Sequence, residues 1–562
     1  MPPTMEQANS NLQTTQCRRF KRQNQWSNLH TRGENDGPQR QKQDVLLAGT
    51  DAPLARRIKC DESKPFCRRC LSLGRTCKYI STNGLIDESE VVIPLEQPLH
   101  VSPRPKGVDS NPRETQIFDL LRTLTVHQLI GPFGQTYQAF WTVDALLATQ
   151  AYPAIWHASL ALSAMHHRMR LGKSEADQLL AKQYYTFSLT QYNISIRHLV
   201  DLTSKAHLSY FDKETVLFAS ILYVGICCAQ RNTKDTKQAI AHIQNMLPLF
   251  YRWKFWELSP TSPGSSHTGR LHHDTLVQII QYLEYQFDEF SDNFPGGLSR
   301  DLDRASTEPF KSVAEAYVEY VPLHYGTWIC GGCPHPRRDD ELQVRPFRDV
   351  KLDYARRLRS WKMRFRTLER RAEFERQDLH SIRLLRLLCD FEDIPRALYK
   401  EPKTETYWRH QHKFERLVDE AEALLQEAEG VMDLDTSSPV FSYSVNVCSV
   451  LRPLGIFCCN LRVRRRVIAL LKRYPQRDLI WDGTLHTMFL EARVELEQGS
   501  LMRPVKEDDG VCGCVDAMFV CRFHRCSGGY NFLEAGGVEY TLRTGLDREQ
   551  NKPGTVIRVT WD

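Results

Sequence analysis

The chain has 562 residues, of which 41% are hydrophobic and 25% charged, with 29 glycines and 28 prolines. This ordinary globular composition excludes a collagen, a wholly disordered chain and a polytopic membrane protein. The longest apolar stretch, 216–229, is shorter than the ~20 residues that cross a bilayer, and it indicates a buried helix. No signal-like segment opens the sequence, so we do not expect secretion. The 17 cysteines are therefore expected to be reduced thiols or metal ligands.

Positive charge is concentrated near the N-terminus. Residues 1–80 contain 15 Lys and Arg against 7 Asp and Glu, an excess of 8 positive charges, whereas the rest of the chain carries 59 against 61. A basic segment attached to a near-neutral body predicts contact with a polyanion. The segment has no amphipathic helix with an aromatic face, so nucleic acid is favoured and no membrane partner is expected.

Three segments precede the main body of the chain. Residues 1–55 are predicted to be disordered, because 13 of the first 45 are Gln or Asn and few are aliphatic. Residues 56–79 form a compact basic block that is rich in cysteine. Residues 80–111 are predicted to be an extended linker, and a coiled coil cannot run through its prolines. These prolines are Pro94, Pro98, Pro103 and Pro105.

Helical patterns dominate from residue 112 onwards. Asn111 can cap a helix whose first position is Pro112, and apolar residues recur at helical spacing after it. We therefore predict a large helical domain over 112–562. Further helices are predicted at 154–169, 175–201, 212–229, 236–252, 273–290, 351–377, 379–399, 407–430 and 484–498.

The last 50 residues have a different composition. They are rich in Val, Tyr and Thr between glycines, which predicts a few short strands. The predicted strand segments are 511–523, 538–543 and 555–561. The expected fold class is mainly α: a small zinc-cluster module, a proline-rich linker, and an all-helical domain that ends in short strands.

The basic block contains four cysteines at a spacing suited to metal. The run RRIKCDESKPFCRRCLSLGRTCKY places Cys60, Cys67, Cys70 and Cys77 in a C-x6-C-x2-C-x6-C pattern. Tetrahedral zinc takes about four thiolate or imidazole ligands on short segments, and these loops allow that. The block has almost no apolar residues to form a core, so a fold here would depend on Zn²⁺. The alternative is an unliganded group of reduced thiols in a basic tail.

This block resembles the fungal six-cysteine binuclear zinc cluster, whose pattern is C-x2-C-x6-C-x6-C-x2-C-x6-C. The R-R-I-K-C-D run, the K-P-x-C loop with Pro65 and the C-K-Y ending at Tyr79 carry the resemblance. It implies that the four cysteines are the third to sixth ligands of the cluster, with Cys67 as the bridging fourth. It also implies a nuclear, DNA-binding regulator of RNA polymerase II transcription with a helical regulatory domain behind the cluster.

The resemblance breaks down at the first two cysteines. The pattern requires them at positions 50 and 53, where the chain has Thr50 and Pro53. Three explanations are open: a wrongly joined exon upstream of Arg56, one zinc ion held by the four remaining thiolates, or a further thiolate from Cys17. A loop back to Cys17 costs entropy that rises only slowly with length.

The same register assigns the contacts with double-stranded DNA. It implies that Arg56 and Arg57 read the base edges of a CGG-like triplet, with Lys59 nearer the backbone. Arginine suits this role because its two N–H groups can bond guanine O6 and N7 together. The phosphate contacts are expected from Lys64, Arg68, Arg69 and Lys78.

Other groups of residues have weaker patterns. Cys512, Cys514, Cys521, His524 and Cys526 form a dense group that is either a second metal site or the thiols of a small core. Cys330, Cys333 and His335 lack a second ligand pair, and structural or surface roles are favoured for His166 and His167. The basic run 464–466 is either a nuclear import patch or a solvated helix face, and we favour the face.

Two functions from different classes therefore remain. The first is a sequence-specific transcription regulator in the nucleus that binds Zn²⁺ and duplex DNA, with protein co-regulators as further partners. The second is an all-helical interaction or enzymatic protein whose degenerate cluster no longer binds DNA. No H-E-x-x-H, G-x-S-x-G or G-x-G-x-x-G motif occurs, so an enzyme is not expected.

Overall fold

A computed structural model describes most of the chain after residue 110 and two short segments before it. By backbone contacts the chain divides into two units, Met1–His100 and Val101–Asp562. The described residues are 15–17, 77–79, 111–131, 137–172, 174–230, 233–258, 271–288, 307–331, 347–371, 376–394, 409–432, 440–501, 506–507, 510–511, 514, 519–532 and 538–559.

The described part of the first unit is a pair of short parallel strands. Strand β1, Thr15–Cys17, pairs with β2, Cys77–Tyr79. Strand β1 falls within the N-terminal segment predicted to be disordered. The rest of that segment, the zinc module up to residue 76 and the linker over 80–110 lie outside the described residues, so the predicted domain boundaries stay predictions.

The second unit is built mainly of helices, which confirms the predicted fold class. Two π-helical turns, Leu121–Thr125 and Phe140–Asp144, interrupt its first helices. The described α-helices are α1 Pro112–Leu120, α2 Val126–Ile130, α3 Ala145–Ala151, α4 Pro153–Met169, α5 Glu175–Thr203, α6 Tyr210–Gln230, α7 Thr233–Arg252, α8 His273–Asp288, α9 Val313–Gly331, α10 Phe347–Glu369, α11 Arg376–Phe391, α12 Gln411–Met432, α13 Cys448–Phe457, α14 Leu461–Arg473, α15 Gly483–Leu501 and α16 Gly545–Glu549.

Helix α1 begins at Pro112 after the cap residue Asn111, as the sequence predicts. Asn111 has an extended backbone and its side chain accepts a hydrogen bond from the backbone N–H of Glu114 at 2.9 Å. Pro112 occupies the first helical position, where the missing N–H costs nothing. Ser174 caps α5 in the same way, accepting from the backbone N–H of Asp177 at 3.1 Å.

Helices α4 and α6 lie at the centre of the body. Almost every side chain of α4 is buried, and it packs against α5 and α6. The apolar stretch 216–229 lies within α6 and is buried except for the half-buried Ser220, which confirms the prediction of a buried helix. Among the described residues, no helix combines the length and the apolar character needed to cross a bilayer.

The later helices continue the same core towards the C-terminus. Helix α9 packs against α10 and α11, α11 against α12, and α12 against α14. Helix α14 in turn packs between α13 and α15. One continuous set of buried apolar side chains runs from Ile117 in α1 to Leu542 near the C-terminus.

Short strands complete the second unit. Strand β3, Val440–Ser442, runs parallel to β4, Gln476–Asp478, which pairs antiparallel with β5, Trp481–Asp482. The strands near the C-terminus are β6 Lys506–Glu507, β7 Gly510–Val511, β8 Cys526–Phe532, β9 Val538–Thr544 and β10 Thr555–Val559. Strands β8, β9 and β10 form an antiparallel sheet with β9 in the middle.

The predicted strand over 511–523 is wrong for most of its described residues. Strand β7 ends at Val511, and residues 519–525 form an isolated bridge followed by turns. The extended strand of this region begins only at Cys526. The predicted strands near 538–543 and 555–561 correspond to β9 and β10.

The interpretation of 464–466 as a solvated helix face is also wrong for its first member. Arg464 is buried and ion-paired with Glu497 on α15, whereas Arg465 is exposed. Arg466 is half-buried and pairs with Asp419 and Glu422 on α12. The basic run is therefore divided between the core, the solvent and a neighbouring helix, because successive helical residues point in different directions.

His166 and His167 on α4 differ in burial, His166 being buried and His167 half-buried. His166 is fully buried, and its Nδ1 lies 3.2 Å from the hydroxyl of Thr125. Burial lowers the pKa of His167 to about 4, with Arg170 adding to the effect, so its ring is neutral near pH 7. Cys333 and His335 lie outside the described residues.

Candidate functional site

Most of the site residues predicted from sequence lie outside the described residues. These are the DNA-contacting Arg56, Arg57 and Lys59 and the metal ligands Cys60, Cys67 and Cys70. Cys77 is the exception, because it begins β2. The roles assigned to all seven residues stay predictions.

The pairing of β1 with β2 brings the backbone of Cys17 close to the backbone of Cys77. Thr15 is opposite Cys77 and Cys17 is opposite Tyr79, so the two cysteines are on neighbouring strands and two register positions apart. With strands about 4.8 Å apart and a rise of about 3.3 Å per residue, their Cα atoms are about 8 Å apart. This proximity is compatible with the hypothesis that Cys17 supplies a thiolate to the cysteine block.

A second group of metal-binding residue types lies near the C-terminus. The candidate ligand atoms of Cys514, Cys521 and His524 all lie within 4.8 Å of one another. Their residues are 3%, 3% and 2% exposed. We call this group the Cys/His cluster. The sequence pattern places these three residues among five candidates, and the structure brings these three together.

Hydrogen bonds organise the Cys/His cluster. The backbone N–H of Cys521 donates to Cys514 Sγ at 3.0 Å, and Cys521 Sγ lies 3.3 Å from His524 Nδ1. A side-chain hydrogen bond with Cys514 lowers the pKa of the Cys521 thiol, and hydrogen bonds with His524 lower it further, against burial, which raises it. A thiol with a lowered pKa is the one most readily present as the thiolate that metals bind.

The segment that carries the cluster is anchored to the loop between α13 and α14. The backbone N–H of Val520 donates to the carbonyl of Cys459 at 2.9 Å, and Asn460 forms an isolated bridge with Phe519. The guanidinium of Arg525 donates to the carbonyl of Ile456 at 2.7 Å. These contacts fix the backbone on which Cys521 and His524 are carried.

Helix α16 closes the other side of the same segment. The backbone N–H of Gly545 donates to the carbonyl of Arg525 at 3.0 Å, and that of Leu546 donates to Phe523 at 2.9 Å. A Cβ atom at Gly545 would lie 2.1 Å from the carbonyl oxygen of Arg522, so only glycine allows this approach. The backbone around the cluster is thus held from two directions.

The two remaining cysteines of the predicted group are not part of the cluster as described. Cys526 begins β8, and burial raises the pKa of its thiol to about 12, with Glu497 adding to the effect. Its backbone N–H donates to Glu497 Oε1 at 2.9 Å. Cys512 lies outside the described residues.

The sequence patterns miss a buried acid–base pair elsewhere in the body. His324 Nδ1 on α9 lies 2.7 Å from Glu392 Oε1, just after α11, and both residues are buried. The hydroxyl of Tyr320 donates to the same carboxylate oxygen at 3.4 Å. The arrangement links α9 to the end of α11 in the interior. The partners are 68 residues apart in sequence, so no local motif signals them.

Comparison with known proteins finds a partial similarity to a transcription factor. The chain is 27% identical over 146 residues to the Zn(2)-C6 fungal-type transcription factor afumD of Aspergillus fumigatus (strain CBS 144.89 / FGSC A1163 / CEA10). The alignment covers 24% of this chain and 38% of that protein. No protein-family model and no solved structure matches the chain. The relationship supports a link to the zinc-cluster transcription factors over about a quarter of the chain.

Proposed function

We propose that the chain is a transcription regulator that binds duplex DNA through an N-terminal zinc module. The observation that carries the proposal is the C-x6-C-x2-C-x6-C block, which resembles the last four cysteines of the binuclear zinc cluster. The partial similarity to a Zn(2)-C6 fungal-type transcription factor also supports it. The function implies a nuclear protein without enzymatic activity.

In this proposal, Cys60, Cys67, Cys70 and Cys77 hold Zn²⁺ and thereby fold the module. The eight Lys and Arg residues of the segment 56–79 favour the thiolate forms that the metal requires. Four thiolates suffice for one tetrahedral zinc ion, and a second ion would require further ligands. The strand register supports Cys17 as one source of such a ligand.

The proposed DNA contacts separate into base reading and backbone attachment. Arg56 and Arg57 precede the first zinc ligand and read a CGG-like triplet in the major groove, with Lys59 nearer the backbone. Arg68, Arg69, Lys64 and Lys78 neutralise phosphates. The excess of 8 positive charges over residues 1–80 suits this division, because phosphate contacts supply most of the sequence-independent affinity.

The helical body is proposed to be the regulatory part that receives co-regulators. Many of its basic side chains are already matched by acidic partners: Arg383 pairs with Glu420 and Glu427, and Arg473 pairs with Glu429. Residues 81–562 carry 59 Lys and Arg against 61 Asp and Glu. The basic N-terminal segment is therefore the part that we propose contacts DNA.

A gel-shift titration with the full chain tests the proposal. The two probes are a duplex with one CGG triplet and a duplex of the same composition with the triplet scrambled, each at several salt concentrations. We expect tighter binding to the CGG duplex than to the scrambled one. The logarithm of the binding constant should fall linearly with the logarithm of the salt concentration. Replacing Cys70 with Ser should abolish both binding and the zinc held by the module.

The matched control is Cys389→Ser, which alters a buried cysteine of α11 far in sequence from the module. This variant should bind both probes like the unmodified chain. Equal affinity for the two duplexes, or DNA binding that survives Cys70→Ser, would contradict the proposal. Such a result would favour the second function, a helical interaction or enzymatic protein whose degenerate cluster no longer binds DNA.

A further inference from the structure

We propose that Cys514, Cys521 and His524 form a structural zinc site in the C-terminal part of the helical body. The site is separate in sequence from the N-terminal cysteine block by more than 400 residues, and the inference does not depend on the DNA-binding function. Its physical basis is the convergence of two thiols and one imidazole in the protein interior.

The distances suit a single ion. The three donor atoms all lie within 4.8 Å of one another, and Cys521 Sγ is 3.3 Å from His524 Nδ1. In a tetrahedral zinc site, Zn–S bonds of about 2.3 Å and Zn–N bonds of about 2.0 Å separate the ligand atoms by about 3.5–3.8 Å. Only small side-chain adjustments are needed to bring the three donors onto one ion.

The donor set favours zinc among the divalent metals. Two thiolates and an imidazole are soft and intermediate ligands, whereas Mg²⁺ and Ca²⁺ prefer oxygen. The backbone N–H of Cys521 already points at Cys514 Sγ, and such an N–H···S bond stabilises the negative charge of a thiolate. Three protein ligands leave a fourth position for a water molecule or another side chain.

Burial distinguishes a structural site from a catalytic one. All three residues are almost fully inaccessible, so a substrate cannot reach an ion held between them. The surroundings also explain why a metal is useful here. Among the residues that the structure describes, Cys514, Cys521 and Phe523 form a small apolar group apart from the main core, and a group of this size stabilises a loop only weakly.

The ion would fasten this segment to the helices beneath it. Val520 and Phe519 bond the loop between α13 and α14, and Cys526, two residues after His524, bonds Glu497 on α15. A metal that fixes Cys521 and His524 thereby stabilises the attachment of this segment to the α13–α14 loop and to α15. Loss of the metal should lower the melting temperature of the body and leave the N-terminal module untouched.

Zinc analysis of the full chain tests the proposal once the other ligands are removed. In an N-terminal variant, Cys17, Cys60, Cys67, Cys70 and Cys77 are all replaced by Ser. We expect this variant to retain about one zinc per chain under reducing conditions. His524→Ala, added to it, should release that zinc, whereas His524→Cys should retain it.

Cobalt substitution supplies a second measurement that does not depend on thermal stability. Co²⁺ bound to the N-terminal variant should show thiolate charge-transfer absorption, which His524→Cys intensifies and Cys521→Ser weakens or removes. Cys526→Ser is the matched control, because this nearby buried cysteine is outside the cluster, and it should retain metal. A folded N-terminal variant without zinc, or zinc that survives both His524→Ala and Cys521→Ser, would overturn the proposal.

Discussion

Arg464 on α14 and Glu497 on α15 form an ion pair in the interior of the helical body, with side chains that are 1% and 0% exposed. Arg493, one turn before Glu497, bonds the other carboxylate oxygen at 3.0 Å. Burial raises the pKa of Glu497, but Arg464 and Arg493 outweigh it, so the pKa is lowered overall. One carboxylate therefore holds two buried guanidinium groups.

Replacing Glu497 with Gln should destabilise the body strongly. The shape of the side chain is kept, but both guanidinium groups lose their counter-charge in a site from which water is excluded. Removing one partner of a buried ion pair costs about 3–5 kcal/mol, and we expect a loss in this range. Urea unfolding followed by circular dichroism measures it. The control is Arg465→Gln, an exposed member of the same basic run, which should change stability by no more than about 0.5 kcal/mol. Similar unfolding curves for the two variants would refute the role of Glu497 as the counter-charge of two buried guanidinium groups.

Asp478 should make the stability of the body fall as the pH rises from about 4 to about 6. Burial raises the pKa of this carboxyl to about 6, although Arg452, Tyr282 and Gln286 act to lower it. Because the folded pKa is above the unfolded value, the native state binds the proton more tightly, and ionisation at higher pH costs stability. Asp478→Asn removes this cost. Its stability relative to the unmodified chain should therefore increase by about 2 kcal/mol between pH 4.5 and pH 8.

Unfolding free energies of the two proteins at both pH values check this expectation. Each variant is compared with the unmodified chain at the same pH, so the contributions of the buried histidines to the pH dependence cancel. One of these is His486, whose pKa burial lowers to about 3. Thr203→Ser on the exposed surface of α5 is the control, because neither side chain is titratable, and its difference from the unmodified chain should be the same at both pH values. A constant difference for Asp478→Asn as well would show that its carboxyl is not perturbed.

Local signals in the sequence predict much of the helical body. Asn111 and Pro112 form a cap whose geometry depends on four consecutive residues, and the structure has it in the predicted place. The stretch 216–229 is buried, apart from the half-buried Ser220, because almost all of its side chains are apolar. Such features need no knowledge of distant partners, so periodicity and capping are sufficient to find them.

Features that depend on distant contacts are not predicted. Arg464 is part of a basic run, and its burial follows only from Glu497, 33 residues later. The glycines of β8 favour a loop in the sequence, yet a Cβ atom at Gly528 would lie 1.8 Å from the carbonyl oxygen of Thr541 on β9. Glycine there marks a close approach between strands. Spacing alone likewise cannot separate Cys521 from Cys526 as a metal ligand.

Arg57→Ala should reduce discrimination between DNA sequences. If Arg57 bonds a guanine edge, its loss costs about 1–3 kcal/mol on the preferred triplet and little on other duplexes. Lys78→Ala is the comparison, because a phosphate contact contributes equally to every duplex. It should weaken all duplexes alike and reduce the slope of affinity against salt by about one. Fluorescence anisotropy with matched and scrambled duplexes measures both effects. A uniform loss for Arg57→Ala would show that the proposed register is wrong.

Gly225→Ala should destabilise the body because Tyr443 occupies the space beside this glycine. The Tyr443 hydroxyl donates to the carbonyl of Ile221 at 3.1 Å. A Cβ atom at Gly225 would lie 1.8 Å from the hydroxyl oxygen of Tyr443. Tyr443 is fully buried, so the ring cannot move aside without disturbing the core. Overpacking of this kind costs about 1–3 kcal/mol.

The matched control for Gly225→Ala is Gly499→Ala on α15, where the added Cβ would have no described atom within 4 Å apart from its own helix backbone and chain neighbours. That substitution should stabilise the protein by about 0.5–1 kcal/mol, because alanine loses less conformational freedom than glycine in a helix. The cause of the opposite effect at Gly225 can be isolated with Tyr443→Phe, which removes the clashing oxygen. Thermal unfolding should show that Gly225→Ala costs less in the Tyr443→Phe background than in the unmodified chain. An equal cost in both backgrounds would exclude the hydroxyl as the source of the clash.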